Sequence, residues 1–114
     1  MSNSILLLDD GWYGLEEVVE GLEELGASVV HCQYASDALE LLTTENFSLL
    51  LIDGKLTNGW EESEYFISKL PHGTKYFRMT SDPQSLFPEQ RGLFVYDKGD
   101  EVDVLLKKVQ EVFS

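Results

Sequence analysis

Short, wholly apolar runs alternate with amphipathic stretches along this sequence, and that alternation restricts the fold more than any single residue does. Ile5, Leu6, Leu7 and Leu8 form the first run, a pattern expected of a strand covered on both faces. Leu15, Val18, Val19, Leu22 and Leu25 then recur at helical spacing. Glu16, Glu17, Glu20, Glu23 and Glu24 occupy the other side, and Gly26 is placed to stop the helix. Residues 28–32 read as a second strand, followed by a helix with Ala35, Ala38, Leu39 and Leu42 on its apolar face and Ser36 or Asp37 as its cap. Residues 47–52 form a third strand, again almost purely apolar. A turn-rich loop, 54–59, leads into a helix burying Phe66, Ile67 and Leu70, which Pro71 and Gly73 end. Fourth and fifth strands are expected at 75–79 and 93–96. Between them, Pro83 and Pro88 argue against a long regular helix over 82–92. The last helix carries Val102, Leu105, Leu106, Val109 and Phe113 on one face.

Five βα repeats, the fourth with a short or missing helix, predict an α/β fold: a five-stranded parallel sheet, doubly wound, flavodoxin-like. With 114 residues, no linker and no repeat, one domain over 1–114 is expected. No apolar run reaches the roughly 18 residues that cross a bilayer, and no basic region precedes the first apolar run, so neither a membrane span nor a signal peptide is expected. The lone cysteine, Cys32, reads as a small buried hydrophobe. Together these point to a reducing, cytoplasmic setting. The 21 acidic residues outnumber the 8 basic ones, for a net charge of −13. Such a chain is repelled by nucleic acid and by anionic membranes.

In an open parallel sheet, functional groups gather beyond the carboxyl ends of the strands. Here the first strand runs into Asp9 and Asp10, the third into Asp53, the fourth into Thr80 and Ser81, and the fifth into Asp97 and Lys98. An aspartate after one strand is commonly a turn residue; polar groups at four strand ends form a set. Clustered carboxylates repel one another, and a hard divalent cation with oxygen ligands relieves that repulsion. Mg²⁺ suits the set better than Zn²⁺, because it offers neither thiolate nor nearby histidine. A carboxylate can attack a phosphoryl group to give an acyl phosphate, while a metal, a lysine and a hydroxyl stabilise the phosphoryl oxygens.

In order and strand placement, Asp9, Asp10, Asp53, Thr80 and Lys98 resemble the signature of response-regulator receiver domains, over essentially the whole chain. The resemblance implies that Asp53 accepts phosphate from a histidine kinase or a histidine phosphotransfer protein. It implies that Asp9 and Asp10 hold Mg²⁺, one directly and one through water, and that Lys55 adds its backbone carbonyl. Thr80 would be the switch hydroxyl, Ser81 the small residue beside the phosphate, and Lys98 the phosphate-pairing lysine. Output would pass to a downstream protein target.

The chain departs from that pattern in places. Gly99 follows the lysine where the family has Pro, often after a cis bond. Thr57 replaces the usual Pro in the loop after the acceptor, and the loop's glycine comes early, at Gly59. Val95 stands at the position of the switch aromatic, with Tyr96 beside it facing the other way. The stretch from Thr80 to Lys98 is about one helical turn short.

Two other functions are compatible with parts of this pattern. One is a receiver-like interaction module without phosphotransfer. The other, a small haloacid-dehalogenase-like phosphohydrolase, requires an Asp-x-Asp motif that the adjacent Asp9 and Asp10 do not form. His31 and His72 are read as ordinary residues far from the acids. Trp12 and Tyr13 either cap the first helix against the core or edge the acidic pocket. Lys55 and Asp82 are candidates for an ion pair across its mouth.

Overall fold

In the computed structural model, which describes residues 3–114, the alternation becomes a single parallel sheet. The strands are β1 (Ser4–Leu8), β2 (Ser28–Cys32), β3 (Leu49–Asp53), β4 (Tyr76–Thr80) and β5 (Phe94–Asp97), in the order β2-β1-β3-β4-β5. Four helices accompany them: α1 (Leu15–Glu24), α2 (Ala35–Leu42), α3 (Trp60–Ser68) and α4 (Val102–Phe113). β3 is buried along its whole length and β1 over its last four residues, whereas the edge strands β2 and β5 alternate with partly exposed positions. Side-chain hydrophobicity therefore tracks strand position: the purest apolar runs are the central strands.

Alternation along each strand sends successive side chains to opposite faces. Ile5, Leu7, Leu49, Leu51, Phe77, Met79 and Tyr96 pack against Val18 and Leu22 of α1 and Val102, Leu105 and Val109 of α4. Leu6, Leu8, Leu50 and Ile52 pack on the other side against Ala35 and Ala38 of α2 and Phe66 of α3. Gly26, at φ +90°, turns the chain after α1 where a side chain would be strained.

Between β4 and β5 there is no α-helix. Two single 3₁₀ turns, Pro83–Ser85 and Pro88–Gln90, fill the interval, and the first lies against β5. Each begins with a proline, which fits a first helical position but cannot continue a ladder of backbone bonds. Among the described residues of this segment, Leu86 is buried.

Two kinds of sequence expectation are corrected, strand bounds and a helix cap. The third, fourth and fifth strands start one or two residues later than read and extend one further, because the polar residues Asp53, Thr80 and Asp97 still pair in register: Asp53 with Met79, Thr80 with Asp97. Ser36 and Asp37 lie inside the first turn of α2 rather than capping it. The cap comes from α3 instead: Glu62 Oε2 accepts from the Ala35 amide at 2.8 Å, while Oε1 accepts from the Asn58 amide at 3.0 Å. Among the described residues, no helix is long and apolar enough to cross a membrane.

Candidate functional site

The chain reverses direction across the sheet between β1 and β3, and at such a switch point a crevice opens at the carboxyl edge. Asp9 leaves β1 there and Asp53 ends β3. Backbone bonds fix the neighbouring strand ends: the Asp9 amide donates to the Cys32 carbonyl at 3.0 Å, Gly54 to Met79 at 2.7 Å and Lys98 to Thr80 at 2.9 Å. The side chains are thereby held on a rigid frame.

One carboxylate oxygen from each of Asp9, Asp10 and Asp53 lies within 4.8 Å of the other two. Asp9 and Asp53 are buried and Asp10 is exposed, so the cluster opens to solvent on the Asp10 side. Lys98 Nζ donates to Asp53 Oδ1 at 3.0 Å and forms an ion pair with Asp9 Oδ2 at 3.1 Å. The same ammonium stands 5.1 Å above the Trp12 ring, a cation–π contact. Asp9 Oδ1 accepts from the Gly11 amide at 2.8 Å, and Asp53 Oδ1 also accepts from the Lys55 amide at 3.3 Å. Burial and the neighbouring Asp9 charge push the Asp53 carboxyl up from 3.8 to about 6, against the opposing pull of Lys98 and the Lys55 amide. One ammonium does not neutralise three acids. Hard oxygen donors at this spacing, short of positive charge, fit Mg²⁺.

Thr80 is buried at the end of β4, its Oγ1 accepting from the Asp82 amide at 3.1 Å. A Cβ at Gly54 would lie 3.1 Å from that oxygen and 2.7 Å from Trp60 Cζ3, so glycine lets the indole and the hydroxyl close in beside the end of β3. Ser81 is exposed. Asp97 stays outside the acid cluster; its Oδ1 accepts from the Gly99 amide at 2.8 Å and turns the chain after Lys98. The Lys98–Gly99 bond is trans. Leu56 and Gly59 exchange backbone bonds, closing the shortened loop after β3 as a tight hairpin.

The flanking residues sort differently from expectation. Trp12 both packs on the core and edges the acids, whereas Tyr13 is 94% exposed and caps nothing. Tyr96 is buried facing α1 and α4, as expected, and its hydroxyl donates to the Asp100 carbonyl at 2.7 Å. His31 is not remote: it pairs with Leu7 in register, and its Nε2 donates to the Asp9 carbonyl at 2.8 Å. His72 lies in the turn before β4, at the opposite edge. Among the described residues, no ion pair joins Lys55 to Asp82; the Asp82 carboxylate accepts from the Ser85 hydroxyl and closes the first 3₁₀ turn.

Sequence reading passed over Arg78 and Ser63. Both are fully buried, and the Ser63 hydroxyl donates to the Asp53 carbonyl at 2.7 Å. The available signal was a charged residue, Arg78, between Phe77 and Met79 in an inner strand.

No family model matches the chain, and no curated protein sequence matches it. Solved structures do. A CheY-like response-regulator receiver domain from Methylobacillus flagellatus superposes with a TM-score of 0.82 at 20% identity, covering 98% of this chain and 99% of that one. A CheY-like receiver domain protein from Methanospirillum hungatei JF-1 gives 0.79 at 25% identity, with 97% and 93% covered. The BeF3-activated DrrB receiver domain gives 0.76 at 25% identity, with 99% and 98% covered. This is the receiver fold. Within it, the acid cluster and Lys98 hold the carboxyl edge, and the two 3₁₀ turns stand where a fifth helix would complete the alternation.

Proposed function

We propose that this chain is a phosphoacceptor module of a two-component relay, taking a phosphoryl group from a phosphohistidine donor onto Asp53. The observation that carries this reading is the carboxyl-edge cluster: three acidic oxygens within 4.8 Å, with Lys98 3.0 Å from the Asp53 oxygen. Its role is signalling rather than turnover of an external substrate, and the acidic surface makes protein partners, a kinase or phosphotransfer protein and a downstream target, the fitting ones. A cytoplasmic site of action follows from that reading.

Asp9, Asp10 and Asp53, with the Lys55 carbonyl, would hold Mg²⁺. Bound there, the ion supplies positive charge to the phosphoryl oxygens. Asp53 is the nucleophile: a carboxylate oxygen attacks phosphorus, and the bond to the donor imidazole breaks with its electron pair going to nitrogen. Lys98 pairs with Asp53 beforehand and shifts toward the phosphoryl oxygens as charge accumulates on them. The Thr80 hydroxyl can donate a further hydrogen bond to the same group.

Incubation with acetyl phosphate and Mg²⁺, followed by intact mass, tests the assignment. The wild type should gain one phosphoryl group, and Asp53→Asn none. An adduct that persists in Asp53→Asn, or fails to form in the wild type, refutes it. Asp10→Ala should weaken Mg²⁺ binding. The alternative module without phosphotransfer draws on the missing helix and on Val95, half-buried where an aromatic switch is usual. It predicts no adduct in the wild type.

A further inference from the structure

Arg78 is the bulkiest fully buried side chain in the described structure, and it is charged. It lies on β4 beside Ile52 of β3, on the face covered by α3. Its Nη2 donates to Ser63 Oγ at 3.0 Å, and Ser63 Oγ lies 2.7 Å from the Asp53 carbonyl oxygen. A serine hydroxyl has one proton. The carbonyl can only accept and the guanidinium can only donate, so the direction is fixed: Arg78 to Ser63 to the acceptor's own main chain. A charged donor at the head of such a chain strengthens the next bond. Burying a guanidinium is costly even when it is paired, and an apolar residue would be the ordinary occupant of this position. Burial presses the Arg78 pKa downward while Tyr76, Glu64 and Asp53 pull it up; a guanidinium remains charged at neutral pH.

The charge inventory of the site gives that cation a use. Asp9 and Asp10 carry one negative charge each, and a phosphoryl group on Asp53 carries roughly two. A divalent cation and Lys98 return about three, and Arg78, linked through Ser63 to the Asp53 carbonyl, is a further cation behind the strand end. We propose that Arg78, acting through Ser63, is a positioning residue that anchors the acceptor end of β3 and contributes the remaining positive charge that a phosphorylated Asp53 requires. This rests on the phosphoacceptor reading above.

Calorimetric titration of Mg²⁺, and of beryllofluoride in the presence of Mg²⁺, tests it on wild type, Arg78→Met, Arg78→Lys and Ser63→Ala. A cation repels the metal and attracts the phosphoryl mimic, so its removal moves the two affinities in opposite directions. Arg78→Met should bind beryllofluoride roughly tenfold more weakly and Mg²⁺ about threefold more tightly, with Arg78→Lys recovering most of the difference. Ser63→Ala should weaken beryllofluoride about threefold with Mg²⁺ affinity held. A merely structural role would lower both affinities together in Arg78→Met, and that result, or no change in either, overturns the proposal. If Arg78→Met does not fold, Ser63→Ala decides alone: unchanged beryllofluoride affinity rejects the relay. Wild-type protein that binds neither ion overturns the phosphoacceptor reading itself, and the inference with it.

Discussion

Strands β4 and β5 meet different surroundings on their two faces. On one, Phe77, Met79 and Tyr96 lie under α1 and α4 in a continuous apolar cluster. On the other, no α-helix follows β4; the 3₁₀ segment buries Leu86, and a buried arginine reaches across to α3. The helix-covered face is held by packing, which is non-directional and forgiving of detail. The other has an apolar cluster under α2 and α3 as well, but at Arg78 it adds a short chain of hydrogen bonds, which fixes geometry and tolerates little loss. The positive charge buried behind β3 also contrasts with the surplus of negative charge at the carboxyl edge.

The largest expected effect is on the packed face. Leu105→Ala should lose about 3–5 kcal/mol in urea unfolding, since its side chain is fully buried in α4. Leu86→Ala, in a segment held by single-turn bonds, should lose only about 2 kcal/mol. Equal losses would show that the 3₁₀ segment is as firmly packed as the helix, and would break the contrast.

Asp53→Asn comes next and has the opposite sign. The folded protein holds the Asp53 proton more tightly than the unfolded chain, with the carboxyl raised from 3.8 to about 6. Between about pH 4 and pH 6 the folded state therefore binds the extra proton, and stability falls as pH rises through that window. Above it the whole cost, about 3 kcal/mol, is present. In chelator at neutral pH, Asp53→Asn should be more stable than wild type by an amount of that order. The gain should shrink below pH 4 and also when excess Mg²⁺ binds the native wild type. No gain would mean that Lys98 already balances the acids.

The smallest effect belongs to the surface. Lys108 pairs with Glu111 at 3.3 Å and stands over the Phe94 ring, with both charged groups about half exposed. Lys108→Ala should change the unfolding free energy by no more than about 1 kcal/mol. A larger loss would assign part of the helix-covered face's stability to charge.

How far the sequence discloses this molecule depends on whether the signal is local. Helix α4 is legible because its apolar positions follow one period from end to end. The missing helix is legible because Pro83 and Pro88 act on their own backbone. The acids and Lys98 are legible because strand ends in a parallel sheet share an edge. The α2 cap is not legible, since Glu62 belongs to a helix that packs beside α2 only in three dimensions. Nor is the contact between His31 and the Asp9 carbonyl, which requires the register of β1 against β2. Arg78 was visible as an anomaly but not as a relay, because its partner, Ser63, lies on another element. In each case the hidden contact joins residues whose proximity is a product of the tertiary fold.

Glycine at position 54 has an optical consequence. By letting Trp60 approach, it places the chain's second indole near Thr80, while Trp12 lies under the Lys98 ammonium on the other flank. The sequence has no third tryptophan, so all indole emission originates beside the carboxyl-edge cluster. Trp12 should respond to where the lysine charge sits, and Trp60 to the loop that follows β3. With either one replaced by phenylalanine, the remaining fluorophore would separate the movement of a charge from the movement of a loop, using light the protein already emits.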